Sequence, residues 1–287
     1  MEMHQKSICV VYLIYIPYGI LLFEKFLQSY SDHPAGAGHE LLFIFKGSTT
    51  EADKDIYIEK TLKYNIKANS LDYYGKGLDI DTYFWAAKQL NFDHLFFLNS
   101  SSQILHNNWL QNYVNHFYKE TGLITASASW QSYYSQVFTV NSWTWKRAET
   151  FSYNFRKYKL LIKALFYWRL LFKPFPNPHA RTNAFMVQRE TFLTMYPGLL
   201  RTKFQAYLFE SGRKSLTREY LKKGFKVLMV DKTGKAYEAA QWLNSKTFWI
   251  DNQENLLISD NQTRMYEQAD EKRRKELTFL AWGIEYL

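Results

Sequence analysis

The sequence predicts an α/β fold with a mostly parallel central sheet, and three observations lead there. Apolar runs of strand length alternate with amphipathic stretches of helical length through the first half of the chain, and helical crossovers of that kind join parallel strands. The run Leu95–Leu98 stops abruptly at Asn99, Ser100, Ser101 and Ser102, which is how a buried parallel strand ends at a ligand crevice. The chain of 287 residues is 47% hydrophobic and 22% charged, enough apolar surface for a full core and too little charge for general disorder.

The elements follow in order. Ile8–Ile14 reads as a buried strand and Gly19–Tyr30 as an amphipathic helix closed by the loop DHPAGAG. The apolar stretch Ile8–Phe23 is not a membrane span, because Pro17 and Gly19 interrupt it and it is too short. Glu40–Phe45 is a second strand ending at Lys46-Gly47, and a helical stretch covers Asp53–Lys63. A short strand is expected at Ile66–Leu71, a helix at Asp79–Leu90 and the crevice strand at Asp93–Leu98. Asn108–Lys119 reads as a helix stopped by Gly122 before the strand Leu123–Ala126.

The middle of the chain differs in composition. Lys146–Lys173 carries eight Lys or Arg and one acid, interleaved with aromatic and aliphatic residues, and ends at the stiff turn PFPNP. Beyond it Thr182–Val187 reads as a strand, Arg189–Tyr196 and Lys214–Lys223 as helices, and Phe225–Val230 as a final buried strand. Gly224 is the helix stop before that strand. Asp260–Leu287 reads as one charged helix with an aromatic end. There is no internal repeat or low-complexity linker, so one domain with an insertion is expected.

The single cysteine, Cys9, rules out a disulfide framework and a cysteine zinc site, and fits a reducing, cytoplasmic setting. Net charge is +9 and aromatic residues make up 18%, which raises an anionic membrane surface or a nucleic acid as partners. The basic charge is concentrated in one insertion and no nucleic-acid-binding fold is visible, so no nucleic-acid partner is expected. The insertion resembles an interfacial amphipathic helix on anionic lipid; a partly buried lid or dimer helix is the alternative. No phosphate-binding Gly-x-Gly-x-x-Gly, Walker loop or Gly-x-Ser-x-Gly is present. His33, His39, His94, His106 and His116 have no metal-ligand spacing.

Three segments carry a family resemblance. LNSSSQIL followed by NNWLQ and GLITA resembles the first half of family 2 glycosyltransferases of the GT-A fold. GKGLDIDTYF (Gly75–Phe84) is similar to the Asn-x-Gly-x-Asp-Ile segment of bacterial polysaccharide proteins of the rhamnan-synthesis type. RTNAFMVQRE and FQAYLFESGRKSLTREYLKKGFKVLMV resemble the acceptor-side half. The resemblance covers about residues 7–232; the order of the segments is specific, whereas each motif alone is weak. It implies a GT-A-like fold, with the nucleotide-binding half in 1–127, a helical insertion at 145–173, the acceptor and catalytic half in 174–232 and a C-terminal helix at 260–287.

It also implies a function: transfer of a sugar from a UDP-, GDP- or dTDP-linked donor to a glycan or lipid-linked glycan in bacterial surface-polysaccharide assembly, with inversion. Two departures matter. Ser101 stands where the family's metal-binding Asp is expected, and the family's Glu-Asp pair reads Glu210-Ser211. Catalysis without a tightly bound metal is therefore expected, with cations or oriented dipoles neutralising the leaving diphosphate.

Glu210 is the candidate general base; otherwise it is a helix N-terminal acid paired with Arg213. Asp79 stands beside the nucleotide or caps the following helix, and one residue can do both. Asn99, Ser100 and Ser101 are expected to face the donor phosphates. His179, Arg181, Arg213 and Arg218 are the candidate diphosphate cations, Arg being suited to bidentate binding. Glu219 and Asp231 are the next candidates for the base. The aromatic tail Phe279–Leu287 suggests packing on a second subunit. Rival functions are a non-catalytic binding or scaffold subunit of the same fold and a basic membrane-surface adaptor.

Overall fold

Strand β1 (Ile8–Tyr15) is the axis of the molecule. Its sequence ICVVYLIY is apolar without interruption because it is buried on both faces. Cys9, Val11 and Leu13 enter one core layer, while Val10, Tyr12 and Ile14 enter the other, the two-residue period of a pleated strand. The structure, a computed structural model, describes residues 7–47, 50–136, 158–159, 162, 164–198 and 200–284.

After β1 come α1 (Ile20–Asp32), β2 (Glu40–Lys46), α2 (Glu51–Lys63), β3 (Asn69–Tyr73), α3 (Asp79–Gln89) and β4 (His94–Leu98). The short β5 (Gln103–Ile104), α4 (Trp109–Val114), β6 (Thr121–Thr125) and β7 (Ala128–Ser129) follow. Past the insertion lie β8 (His179–Ala180), β9 (Ala184–Gln188), β10 (Lys226–Val230), β11 (Ala236–Tyr237) and β12 (Ile258–Ser259).

An 8-stranded sheet runs β11-β10-β6-β9-β4-β1-β2-β3. β1 pairs in parallel with β2 and β4, β2 with β3, and β6 with β10. β9 is antiparallel to both β4 and β6. The expected mostly parallel α/β sheet is therefore present, and Lys226–Val230 lies inside it between β6 and β11. Strand order reverses at β1, with β2 on one side and β4 on the other. A crevice opens beyond the carboxyl ends of such a pair.

Several elements differ from the sequence reading. The edge strand falls at Asn69–Tyr73 instead of Ile66–Leu71. Asn65 turns left-handed at φ 51° and Ile66 donates back to Thr61 O at 3.1 Å, so these residues finish α2. α4 stops at Val114, well before Lys119, in turns over Tyr113–Tyr118 whose backbone bonds tighten. The tail is two helices, Asn261–Gln268 and Glu271–Trp282, because Asp270 starts a new helix by accepting from Arg273 N–H at 2.7 Å.

Of the aromatic end suggested for a second subunit, residues 285–287 lie outside the described residues, and Trp282 packs on its own chain. Trp282 is buried against Trp130, with ring centroids 5.4 Å apart, and donates to Phe248 O at 2.6 Å. Of the predicted insertion, residues 145–157, 160–161 and 163 lie outside the described residues. Among the described ones, Tyr158, Ile162, Phe166, Tyr167 and Leu170 are exposed. No helix of the described residues is long and apolar enough to cross a membrane.

Asp260 clamps the tail to the sheet. Its Oδ1 accepts from Gln262 and Thr263 N–H at 3.0 and 2.9 Å, and its Oδ2 meets Arg181 Nη2 at 2.7 Å. The carboxylate is buried and the guanidinium nearly so, and breaking such a pair leaves an uncompensated charge. Asp260→Ala is expected to lower stability by about 3–5 kcal/mol, read as a drop in the urea midpoint with an unchanged slope.

Candidate active site

The crevice is built at the ends of β1, β2 and β4. After Leu98 the chain leaves the sheet, and its polar residues satisfy the backbone groups left behind. Asn99 N–H donates to Asn183 O at 3.0 Å. Asn99 Oδ1 accepts from Ser101 N–H and Ser102 Oγ, both at 3.0 Å, closing an Asx-type turn. Ser100 ties the turn to β1: its Oγ accepts from Tyr15 N–H at 3.1 Å and its carbonyl from Tyr12 Oη at 2.8 Å. Asn99 and Ser100 are thus spent on building the turn, and Ser101 is left at the rim.

A cation that the sequence reading passed over lies on that rim. Arg264, from helix Asn261–Gln268, donates from Nη2 to Ser101 O at 2.8 Å and from Nη1 to Ser259 Oγ at 3.0 Å. Burial lowers its pKa, opposed by Asp260 and Glu267. Arg264 and Ser101 line a cavity of about 540 Å³ with Leu22, Asn261, Met265 and Arg273. This donor set does not fit a divalent cation. The turn offers an amide and hydroxyls, a guanidinium is bonded to the Ser101 carbonyl, and no three His, Cys, Asp or Glu side chains of the described residues come together.

On the other side of β1, Lys46 is a second residue the sequence reading passed over. At the end of β2 it is buried, donates to Gly77 O at 2.5 Å and lies 5.8 and 5.6 Å from the ring centroids of Tyr15 and Tyr73. Burial lowers its pKa, and Asp79 and Asp81 oppose the shift. Gly47 lets the ends of β1 and β2 meet: its φ is +77°, and a Cβ there would lie 2.9 Å from Pro17.

Asp79 is the first residue of α3, with Leu78 at the cap position, so it does not cap the helix by its side chain. It is open to solvent yet surrounded by protein, as expected inside a concavity. Desolvation raises its pKa, with Lys46 pulling the other way. Asp81 accepts instead from Tyr73 Oη and Tyr196 Oη.

Glu210 sits at the carboxyl-terminal end of helix Lys203–Ser211 rather than at a helix start, and no ion pair joins it to Arg213. Its Oε1 accepts from Thr182 N–H at 2.9 Å and Oγ1 at 3.4 Å, while Oε2 has no hydrogen-bond partner among the described residues. Thr182 adjoins Asn183, whose carbonyl holds Asn99. One peptide unit therefore links the candidate base to the turn at the crevice. The fallback acid Asp231 is committed elsewhere: it is buried and accepts from Thr233, Lys235 N–H and Tyr237 Oη.

The candidate cations divide. Arg181 is held by Asp260, donates to Ser127 Oγ at 3.0 Å and stacks 4.1 Å from the Phe248 ring centroid, so its guanidinium is taken up by the fold. Arg213 lies three residues past Glu210, and Arg218 is joined through Asn177 to Ser211, the residue after Glu210. His179 is buried there, its Nδ1 2.8 Å from Asn177 O, which selects the tautomer protonated at Nδ1. Burial lowers its pKa; the Glu210 charge opposes that, and Arg181 and Arg218 add to it.

No protein-family model and no curated protein matches the sequence. Solved structures do. The chain is similar to the bifunctional glycosyltransferase WbbM (9% identity, TM-score 0.43, 78% of this chain and 38% of that one). It is similar also to 4-diphosphocytidyl-2C-methyl-D-erythritol synthase from Anaerococcus prevotii (12%, TM-score 0.40, 78% and 88%). A further match is glucosyl-3-phosphoglycerate synthase from Mycobacterium tuberculosis, in complex with Mn2+, UDP and phosphoglyceric acid (15%, TM-score 0.37, 64% and 56%). The chain spans less than two thirds of the WbbM chain and of the phosphoglycerate synthase chain.

His179 gives the site a pH signature. Its folded pKa lies below the ordinary value of 6.5, so the unfolded chain binds more protons between the two values and stability rises with pH there. The contribution is complete above about pH 6.5 and is lost as pH falls through the folded value. His179→Asn is expected to flatten the fall in stability that sets in below about pH 6.5, in urea titrations at each pH.

Proposed function

We propose that the chain transfers a sugar from a nucleotide-sugar donor to a glycan acceptor, with Glu210 as general base and inversion at the anomeric carbon. One observation carries the reading: a carboxylate with one oxygen unpartnered among the described residues is held a single peptide unit from the polar turn at the β1/β4 switch point. The donor nucleotide lies over the ends of β1 and β2, where Asp79 accepts from a ribose hydroxyl or the base, and Lys46 and Tyr15 form the wall. The diphosphate meets Ser101 and the Arg264 guanidinium, a cation suited to phosphate oxygens. His179 stays neutral beside Glu210.

In the reaction the acceptor oxygen attacks the anomeric carbon, the bond to the diphosphate breaks on the opposite face, and the hydroxyl proton passes to Glu210 Oε2. The anchored Oε1 fixes the carboxylate, so no orientation is lost on reaching the transition state. The exposed Ile162, Phe166, Tyr167 and Leu170, within a strongly basic segment, support peripheral contact with an anionic membrane carrying the acceptor. A non-catalytic subunit of the same fold is the second reading. It is favoured by Ser101 in place of a metal carboxylate, and it predicts nucleotide binding without turnover.

Screening UDP-, GDP- and dTDP-sugars by thermal shift is expected to identify the donor, since a ligand at 100 times its Kd stabilises by about 2.7 kcal/mol. With that donor, Glu210→Gln is expected to keep donor affinity and lose roughly 10²–10⁴-fold in turnover. Asp79→Ala does the reverse, weakening donor binding more than kcat. Release of nucleoside diphosphate is expected to persist in excess chelator. Loss of activity with rescue by manganese would overturn the metal-free mechanism, and full activity in Glu210→Gln would remove that residue as the base.

A further inference from the structure

Beside Glu210 stands a group of cations that donor binding does not use. Arg213 follows Gly212, where a Cβ would collide with Leu208 O, so the backbone is held close to its own helix end. Its N–H donates to Leu171 O at 2.8 Å and its Nε to Arg169 O at 2.9 Å. Arg218, on helix Leu216–Lys222, donates from Nη2 to Asn177 Oδ1 at 2.7 Å. Asn177 is fully buried and is itself fixed by donating to Ser211 O at 2.8 Å and Gln131 O at 3.3 Å. Lys173 follows Phe172, which pairs with Gly212 across an isolated bridge.

None of Lys173, Arg213 and Arg218 forms an ion pair among the described residues, and Arg218 Nε is buried there without a hydrogen-bond partner. The three charges act on one another. Arg218, then burial and Arg213, lower the pKa of Lys173; burial and then Arg213 lower that of Arg218. Like charges gathered without a counter-ion destabilise a fold, whereas an anion arriving between them is bound strongly. An aromatic floor adjoins them: the Tyr133 ring lies 4.7 Å from that of Tyr207 and 5.3 Å from that of Phe172. Such faces suit the apolar side of a sugar ring.

We propose that Lys173, Arg213 and Arg218 form an anion-binding subsite for a phosphate or carboxylate carried by the acceptor. Its assignment to the acceptor rests on the transferase reading above. In an inverting displacement the leaving diphosphate departs from the face opposite the base, so cations beside Glu210 face the incoming acceptor. That moves Arg213 and Arg218 from the donor diphosphate, for which the sequence proposed them, to the other substrate. The donor diphosphate keeps Arg264.

Calorimetric titration of the full chain with inorganic phosphate and with glucuronate separates the two sources of negative charge. Saturable binding of one of them is expected, weakened roughly tenfold or more in Lys173→Gln and in Arg213→Gln, the usual worth of a charge-assisted hydrogen bond. Both side chains are exposed, so neither change threatens the fold. Lys63→Gln, an exposed charge on α2, is expected to leave that binding unchanged. Equal affinity in Lys173→Gln, Arg213→Gln and the unmodified chain overturns the subsite. So does loss in Lys63→Gln alone, or binding to phosphatidylglycerol vesicles with none to either free anion. Anion binding that follows these residues in a chain that binds no nucleotide sugar retains the subsite and removes the transferase assignment.

Discussion

The site depends on one constraint: the backbone beyond β4 must leave a sheet that is buried on both faces without abandoning its hydrogen bonds. Asn99, Ser100 and Ser102 meet it by bonding to one another, to Tyr12 and Tyr15 of β1, and to Asn183 ahead of β9. Each bond joins the end of one strand to another, so the turn fixes how the strand ends lie around the crevice. Because Asn183 adjoins Thr182, the same network orients Glu210. Polar groups that hydrogen-bond across a low-dielectric interior support one another, and here the network that holds the turn also holds the Glu210 side chain.

The C-terminal helices extend this arrangement. Asp260 caps helix Asn261–Gln268 and holds Arg181, which in turn grips Ser127 after β6. That clamp delivers Arg264 to Ser101. A guanidinium supplies positive charge and directed donors without needing carboxylate ligands.

Charge around the crevice is arranged in separate places. Lys46 faces Asp79 and Asp81 beyond β2 and β3, Arg264 stands at the β1/β4 end, and Lys173, Arg213 and Arg218 gather past Glu210. On the proposed reading, this separation puts cations on both sides of the reacting sugar.

The sequence alone determined the central strands of the sheet, though not the place of its edge strand. Uninterrupted apolar runs such as Ile8–Tyr15 and His94–Leu98 have only one low-energy fate, burial on both faces, and the abrupt polar stop at Asn99 marks the crevice wherever β1 and β4 pair. Asp79 and Glu210 were legible in the sequence as candidate carboxylates by their place in the chain order. Tertiary structure alone decided which cation stands at which place. Lys46 and Arg264 carry no local signal, since a lysine ending a strand and an arginine in a charged helix are ordinary in sequence. They matter only because pairing of β1 with β2 and the Asp260 clamp bring them to the crevice. Arg181 shows the converse: its position in a matching segment suggested a ligand contact, but a buried carboxylate 79 residues away claims it, and contacts at such separations are created only by folding.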